Sequence, residues 1–446
     1  MTILMLLLSV GIIILMTTRF EIHPFLALLV AALVFGLGTG MSPEQIITGI
    51  NSGFGGIMGN IGLVIVLGVI MGAFLEYSGG AYKLAEFILR IIGKKRVHEA
   101  MGMAGWLVSI PVFVDSGFII LTPLNKSITK RAGLSLAGTG VALILGLMLT
   151  HVMVPPTPGP IAAAGYIGAD IGTVMWMGMG VSLLALVVAI LYAKFYASRV
   201  YIDPAPEVSE EEMQEKLKQA PSTFFAFLPI LIPILLIVSR SIVEFQIGKD
   251  NLPEAVWWNV LNFVGTPVIA LMVGTLLAIF LPKKLDKSLF STTGLVGKAM
   301  KDSATILLIT GAGGIFGAML KQSDLAQVMS QYFEGINLGI WLPFLLAATI
   351  KTAQGSSTVA LITTASILGE LLGGLGVETE MQKAMYVCAI GAGAAVVSHA
   401  NDSGFWLITQ LCNMDVKTGL KLYSLGTFIV GTFAAVVLWV MSFFLW

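Results

Sequence analysis

The chain has 446 residues, of which 57% are hydrophobic and only 11% are charged, and its mean hydropathy is +0.92. This composition excludes an ordinary soluble globular protein and indicates a chain that lies mostly within a lipid bilayer. The 25 acidic residues balance the 25 lysines and arginines, and no basic stripe points to nucleic acid as a partner.

The N-terminal region predicts two lead helices, from apolar stretches at residues 3–16 and 25–37. The first stretch has no preceding lysine or arginine and no small-residue cleavage site before Arg19, so we expect a retained helix and not a signal peptide. Residues 61–75 and 420–446 are further apolar blocks. A bilayer span takes about 20 apolar residues, so we expect the longer blocks to cross and the shorter ones to need polar flanks or re-entrant geometry.

Two polar breaks interrupt the apolar segments of the first half, residues 1–200. The first is Asp115-Ser116-Gly117, and the second is the proline-rich run at 150–160. Backbone that is released from helical hydrogen bonding is tolerated at membrane depth only where it is buried in protein or lines a cavity. We therefore expect a helical hairpin at about 98–130 and a helix break at 151–160.

Residues 201–222 separate this half from the next. They contain Pro204 and Pro206, then an acidic run at 207–212, and then Lys216 and Lys218. Such a composition is typical of a solvated linker, which we expect on the cytoplasmic side.

The second half, residues 223–446, repeats landmarks of the first. Residues 72–78 match residues 317–323 at an offset of 245, and His151 matches His399 at an offset of 248. Polar breaks at 354–358 and 398–405 predict a second hairpin at about 335–372 and a second helix break at 398–405. The chain therefore divides into two related halves. Paired breaks in corresponding positions are typical of the binding site of a secondary transporter.

The distribution of lysine and arginine predicts the orientation of the chain. If the N-terminus lies outside, 20 of the 25 basic residues fall on the cytoplasmic side. The basic clusters at 90–96 and 126–131 then share one face, so the hairpin between them must enter and leave by that face. The matching hairpin would enter from the opposite face, which makes the halves inverted repeats with both termini external. The five exceptions to the charge rule are Arg240, Lys249, Lys321, Lys351 and Lys383.

Ionisable residues at the breaks are the candidates for proton coupling, because a charge at membrane depth is costly unless it is paired, hydrated or protonated. Asp115 and Asp402 are the carboxylates, and His399 is a group that titrates near neutral pH. Lys351 could hold an anionic substrate or neutralise Asp402. The alternatives are that the carboxylates cap neighbouring helix ends and that Lys351 extends to the membrane surface.

Small and polar residues at the same breaks are the candidates for substrate binding. Their size allows the hairpin tips to approach closely, and half-helix N-termini that point at the midplane favour an anion. The predicted substrate-binding residues are Ser116, Gly117, His151, Gly355, Ser356, Ser357, Thr358, Asn401 and Ser403.

The sequence predicts no enzyme chemistry. It contains no recognisable nucleophile motif and no Cys/His spacing for a metal, so we expect no cofactor and no metal. Cys388 and Cys412 lie in apolar stretches and are expected to be buried hydrophobic residues, not a disulfide.

Four segments resemble the gluconate permease (GntP-type) family of the ion-transporter superfamily, and the resemblance extends over essentially the whole chain. These segments are residues 111–118, 151–160, 354–360 and 398–406. The resemblance implies a symporter of the bacterial inner membrane that takes up gluconate or a related sugar acid with a proton. It implies an all-α polytopic fold of two inverted repeats, each with a re-entrant hairpin and a broken transmembrane helix. It also implies a homodimer in which a transport domain moves against a scaffold in elevator fashion.

Several alternatives remain open at this stage. A Na⁺-coupled carboxylate carrier, or a carrier of D-serine or a small hydroxy acid, would use the same breaks. A channel would conduct without accumulation, and nothing in the sequence forms a carbonyl or charge ring. A membrane-embedded enzyme could use His and Asp side chains in one cavity, but it would lack a recognisable nucleophile.

Overall fold

The computed structural model describes residues 2–93, 96–204, 220–247, 255–323, 338–399 and 402–445. Throughout these residues the regular secondary structure is helical, which confirms the all-α polytopic prediction. Six of the described helices are long and apolar enough to cross a bilayer, or seven if one bent pair counts as a single span. The α-helices are α1 Thr2–Thr18, α2 Pro24–Gly38, α3 Pro43–Ile57, α4 Leu63–Tyr77, α5 Gly80–Ile92, α6 Val97–Val108, α7 Val114–Ala132, α8 Leu136–Met153, α9 Pro158–Ile167, α10 Ile171–Phe195, α11 Thr223–Ile247, α12 Val256–Val264, α13 Pro267–Ile279, α14 Leu295–Gln322, α15 Trp341–Gln354, α16 Ser357–Leu368, α17 Glu380–Ala395, α18 Ser403–Leu411, α19 Val416–Gly419 and α20 Leu425–Leu445.

One layer of the fold, here called the scaffold, consists of α2, α3, α4, α13 and α14, which pack on one another. Helices α3 and α4 form one long rod that is joined by a wide turn at Met58–Gly62. Helices α3 and α14 cross where Gly53 meets Gly314, and each glycine Cα lies against the backbone carbonyl of the other. Helices in a membrane associate through close backbone contacts of this kind, because lipid provides no hydrophobic driving force between them.

The first predicted hairpin is present as α6 and α7, which meet at a tip over residues 109–113. The Ser109 hydroxyl donates to the Val112 carbonyl (2.9 Å), which closes the tip. Gly133, with φ of 65°, ends α7 in the left-handed conformation that glycine adopts without strain. The two helices together cover residues 97–132. The re-entrant hairpin expected at about 98–130 stays a prediction.

The first helix break lies between α8 and α9, at residues 154–157, and the helical span that contains it is wholly buried. Pro155 and Pro156 lack backbone N–H groups, so α8 cannot continue through them. The His151 carbonyl loses the partner that the Pro155 amide would have supplied. The Thr157 hydroxyl donates to that carbonyl instead (3.0 Å), and also to the Val154 carbonyl (2.6 Å).

The second hairpin consists of α15 and α16, and Gly355 at its tip has φ of 90°. The second break lies between α17 and α18 and includes Val397, whose φ of 51° is rare for a β-branched residue. Helix α18 begins at Ser403, so the predicted break at 398–405 covers the end of the interruption and the first turn of the new helix.

The two hairpins and the two broken helices pack reciprocally. The second arm of hairpin one, α7, contacts α18, and the second arm of hairpin two, α16, contacts α9. Two related halves would pack in this way, and the four tips and breaks consequently meet near one point. The boundaries of the halves, 1–200 and 223–446, stay predictions, and most of the expected linker, 205–219, lies outside the described residues.

We predict that Gly53→Ala destabilises the protein, because a Cβ at Gly53 would overlap the Gly314 carbonyl. Overpacking of this kind costs about 1–3 kcal/mol. The matched control is Gly55→Ala on the same helix, where a Cβ would meet nothing within 4 Å. Thermal unfolding in detergent should show a lower midpoint for Gly53→Ala and little change for Gly55→Ala. Equal midpoints for the two variants would contradict the crossing.

Candidate functional site

A cavity of about 640 Å³ lies where the hairpin tips and helix breaks meet. It is bounded by the first turns of α7, α16 and α18, by the last turns of α8, and by residues 301–306 in the second to fourth turns of α14. Its lining residues are Phe113, Val114, Asp115, Ser116, Met148, His151, Lys301, Asp302, Thr305, Ile306, Gly355, Ser356, Ser357, Thr358, Asp402, Ser403 and Gly404.

A buried ion pair joins the second hairpin to the second break. The Lys351 ammonium lies 2.6 Å from Asp402 Oδ2 and also donates to the Gly355 carbonyl. The side chains of Lys351 and Asp402 are only 0% and 9% exposed. Lys351 therefore neutralises Asp402, which is one of the two roles considered for it from the sequence. It also satisfies the free carbonyl after the end of α15.

Asp402 also caps α18, because its Oδ1 accepts from the Gly404 amide (3.0 Å). A carboxylate at a helix N-terminus satisfies a free amide and interacts favourably with the helix dipole. The capping role and the charge-pair role that the sequence left open thus occur together in one residue.

Asp115 links the first hairpin to the second break. The Ser403 hydroxyl donates to Asp115 Oδ2 (2.9 Å), and both residues line the cavity. Ser116, beside Asp115, interacts with the Glu76 carboxylate at the end of α4. Asp115 is half-buried and Ser403 is exposed to the cavity, so the Asp115 carboxylate remains accessible to a ligand.

His151 and His399 occupy equivalent sequence positions but differ in their surroundings. His151 lines the cavity, its ring lies 5.8 Å from the Phe113 ring, and its Nδ1 is buried with no hydrogen-bond partner in the described part of the chain. His399 Nε2 bonds instead to the Thr352 carbonyl (2.9 Å), outside the cavity lining. His151 is therefore the histidine that a ligand in the cavity could contact.

The second hairpin tip presents the N-terminus of α16 to the cavity. The Ser356 hydroxyl accepts from the Val359 amide (3.3 Å), which caps the helix. Ser357 and Thr358 form its first turn, and Ser357 Oγ lies 3.9 Å from the Met148 sulfur. Backbone amides at the start of a helix bind carboxylate or phosphate groups, so this turn is suited to an anion.

One predicted binding residue among the described residues, Gly117, does not line the cavity. Gly117 is buried behind the tip, where an added Cβ would lie 2.7 Å from Leu147 Cδ2, so its visible role is close packing. Asn401 lies outside the described residues.

Helix α14 contributes four lining residues that the sequence did not predict. Lys301, Asp302, Thr305 and Ile306 line the cavity, although Lys301 was counted only among the cytoplasmic basic residues. The sequence feature that could have indicated this role is a run of polar residues near the start of an otherwise apolar helix. A run of that kind also suits a helix end at the membrane surface, so only the packing of α14 against the tips reveals the second role.

The charges around the cavity do not cancel. Among the described residues, the carboxylates of Asp115, Asp302 and Asp402 face the ammonium groups of Lys301 and Lys351, which leaves one negative charge in excess. No group of three His, Cys, Asp or Glu side chains in the described residues is arranged to hold a metal ion.

Comparisons with known proteins agree on one family. The model of the GntP family of permeases matches residues 1–444. A permease of Haemophilus influenzae is 37% identical over 439 residues, covering 95% of this chain and 88% of its own. The gluconate permease of Pseudomonas aeruginosa is 35% identical, covering 93% and 91%. The D-serine transporter DsdX of Escherichia coli is 32% identical, covering 98% and 97%.

A solved structure supports the fold. The YdaH transporter of Alcanivorax borkumensis superposes with a TM-score of 0.66 over 95% of this chain and 97% of its own. Sequence identity between the two is 15%, so this likeness concerns the fold alone.

We predict that Lys351→Met strongly destabilises the protein, because it leaves Asp402 buried without its partner. Removing one member of a buried pair costs about 3–5 kcal/mol, whereas replacing both members is often close to neutral. Thermal unfolding should therefore show a large loss for Lys351→Met and a partial recovery for Lys351→Met combined with Asp402→Asn.

The control for this prediction is Lys130→Met, which removes the exposed Lys130–Asp203 pair. A surface pair is worth about 0–1 kcal/mol, so this variant should unfold close to the wild-type temperature. A loss for Lys351→Met no greater than that for Lys130→Met would contradict the structural role of the buried pair.

Proposed function

The chain belongs to the GntP family of permeases, and we propose that it takes up gluconate or a related sugar acid together with a proton across the bacterial inner membrane. Membership of the family makes it a multi-pass inner-membrane transport protein and not an enzyme. The observation that carries the proposal is the cavity between the two hairpin tips, the end of α8 and the second break, where helix N-termini, hydroxyl groups and an accessible carboxylate converge.

The substrate's carboxylate would bind at the first turn of α16. Ser357 and Thr358 contribute backbone amides there, and the helix dipole favours a negative charge. The sugar hydroxyls would contact the Ser403 hydroxyl and the Asp115 carboxylate, which already bond to each other across the cavity. His151, with Nδ1 buried and lacking an acceptor among the described residues, would keep its proton on Nε2 and donate it to the substrate.

A proton would be carried because the cavity is already negative. A sugar acid adds a second negative charge to the one in excess, and such a charge is costly at membrane depth. The Asp402 carboxylate already bonds to the Lys351 ammonium and to the Gly404 amide, whereas the Asp115 carboxylate accepts a hydrogen bond from the neutral Ser403 hydroxyl. Protonation of Asp115 would therefore allow the anion and the tips to cross together, with Asp402 and His399 in supporting roles.

The cavity would open to the cytoplasm in this conformation. Lys301 and Asp302 lie near the beginning of α14, on the side where the charge rule places the cytoplasm. We propose that the hairpins and broken helices form the transport domain, that the scaffold stays fixed, and that two copies of the chain form a homodimer.

A D-serine carrier is the second candidate. The relative DsdX of Escherichia coli transports D-serine by its name and matches 98% of this chain. The excess negative charge in the cavity would also suit the ammonium group of an amino acid. Coupling to Na⁺ instead of a proton is the alternative for either substrate.

The test of the function is uptake of radiolabelled gluconate into proteoliposomes with an inward proton gradient and no sodium. We expect accumulation that collapses when a protonophore is added. Uptake of D-serine but not gluconate would favour the second candidate, and accumulation only with a sodium gradient would contradict proton coupling.

We predict that Asp115→Asn loses proton-driven accumulation by tenfold or more but keeps exchange of labelled for unlabelled substrate. The amide retains the hydrogen bonding of the side chain but cannot exchange a proton. The control is Asp286→Asn, an exposed carboxylate at the start of the short helix Lys287–Phe290. Full accumulation by Asp115→Asn would remove this residue from the coupling mechanism.

The orientation can be tested with single cysteines, because both native cysteines are buried. Ser288→Cys and Glu44→Cys each place a thiol at an exposed position, near the start of α14 and of α3 respectively. In right-side-out vesicles we expect an impermeant maleimide to label Glu44→Cys and not Ser288→Cys. The reverse pattern would place the beginning of α14 outside.

A further inference from the structure

Lys351 neutralises Asp402, which lines the cavity, but Lys351 itself is not part of the cavity lining. Its side chain is fully buried, and its ammonium is engaged by Asp402 Oδ2 and by the Gly355 carbonyl. A substrate carboxylate could reach it only by displacing both partners, one of which also caps α18. The buried lysine is therefore a poor candidate for direct contact with an anion.

Lys301 is the cation that the cavity exposes. Among the described residues that line the cavity, it is the only lysine or arginine. It lies six residues into α14, and hence about 9 Å along the helix axis from its first residue. Its side chain is exposed, so a carboxylate can approach it without breaking an interior contact.

Lys301 and the hairpin tips belong to different layers of the fold. Helix α14 carries Lys301, Asp302 and Thr305 and packs on α2, α3 and α4 of the scaffold. The other polar lining residues come from the hairpins and the broken helices. Any movement of the tips along the scaffold changes their distance from Lys301. An interaction between Lys301 and a ligand on the tips is therefore confined to conformations that resemble this one.

We propose that Lys301 binds the carboxylate of the substrate on the side where α14 begins, and that it sets the affinity for the substrate on that face only. This inference rests on the proposed sugar-acid transport. The site would then have two conformations with different affinities for the anion. Next to α14 the anion contacts both the half-helix amides and a lysine, and away from α14 it keeps the amides alone.

The matched control for Lys301 is Lys298. It is also exposed and lies one turn earlier on the same helix, but it is not part of the cavity lining. Lys298→Gln therefore removes a positive charge from the same surface at a residue that does not line the cavity, and Lys301→Arg keeps the charge at the site.

The experiment measures the half-saturating gluconate concentration for exchange in right-side-out and in everted membrane vesicles. For Lys301→Gln we expect an increase of roughly tenfold on the face where α14 begins, as the loss of a hydrogen bond to a charged group predicts. On the other face, we expect a value within about twofold of the wild type. Lys301→Arg should restore most of the affinity, and Lys298→Gln should match the wild type on both faces.

Three results would overturn the inference: an unchanged value for Lys301→Gln, an equal increase on both faces, or the same increase in Lys298→Gln. A merely destabilised variant would lose maximal exchange rate in both kinds of vesicle, without a one-sided change in half-saturation. The wild type separates this inference from the proposed function. If the wild-type protein exchanges no sugar acid at all, the proposed function fails first and the inference falls with it.

Discussion

The structure depends on one constraint: four helices end in the interior, and each end leaves backbone groups without a partner in its own helix. Each end has a local solution. The Thr157 hydroxyl serves the carbonyls before the first break, Ser356 and Asp402 cap α16 and α18, and the Lys351 ammonium serves the carbonyl of Gly355. Unpaired backbone at membrane depth would cost several kcal/mol for each group. Ser356 and Asp402 both satisfy helix ends and line the cavity, so at these two residues folding and the proposed ion binding depend on the same side chains.

Close approach of the two layers has a similar origin in both halves. Gly72 of α4 lies directly against the Pro111 carbonyl of the first hairpin tip, and Gly68 lies near the Pro156 carbonyl of the first break. At the equivalent positions of α14, Gly313 lies near Ile362 and Gly317 near the Ser366 carbonyl of the second hairpin. A smooth, small-residue surface lets a helix backbone lie directly on a neighbour. The glycines at equivalent positions of the two halves therefore do more than show sequence similarity between the halves. They form part of the contact between the scaffold and the hairpins and breaks.

The electrostatics of the cavity follow from which charges are already engaged. Lys351 and Asp402 neutralise each other where neither is exposed, so they hold the second hairpin to the second break and contribute little net charge. Asp115, Lys301 and Asp302 remain accessible from the cavity. An anionic substrate would therefore meet one exposed lysine and two accessible carboxylates, which is the physical reason for proposing that a proton accompanies it.

The sequence alone determined the class of fold, and it predicted the positions of the breaks and most of the polar residues that line the cavity. It could do so because the length of an apolar segment and the positions of proline and glycine act on local structure. Pro155 and Pro156 interrupt a helix because they lack backbone N–H groups. A carboxylate such as Asp115 within an apolar segment needs a partner, water or a proton. Only the tertiary structure decided the roles. Lys351 pairs with Asp402, His151 lines the cavity, and His399 bonds to the Thr352 carbonyl. Gly117 packs against Leu147, and Lys301 and Asp302 join the lining. These outcomes depend on which side chains from distant parts of the chain come within a few ångströms of one another, and a local pattern carries no information about that distance.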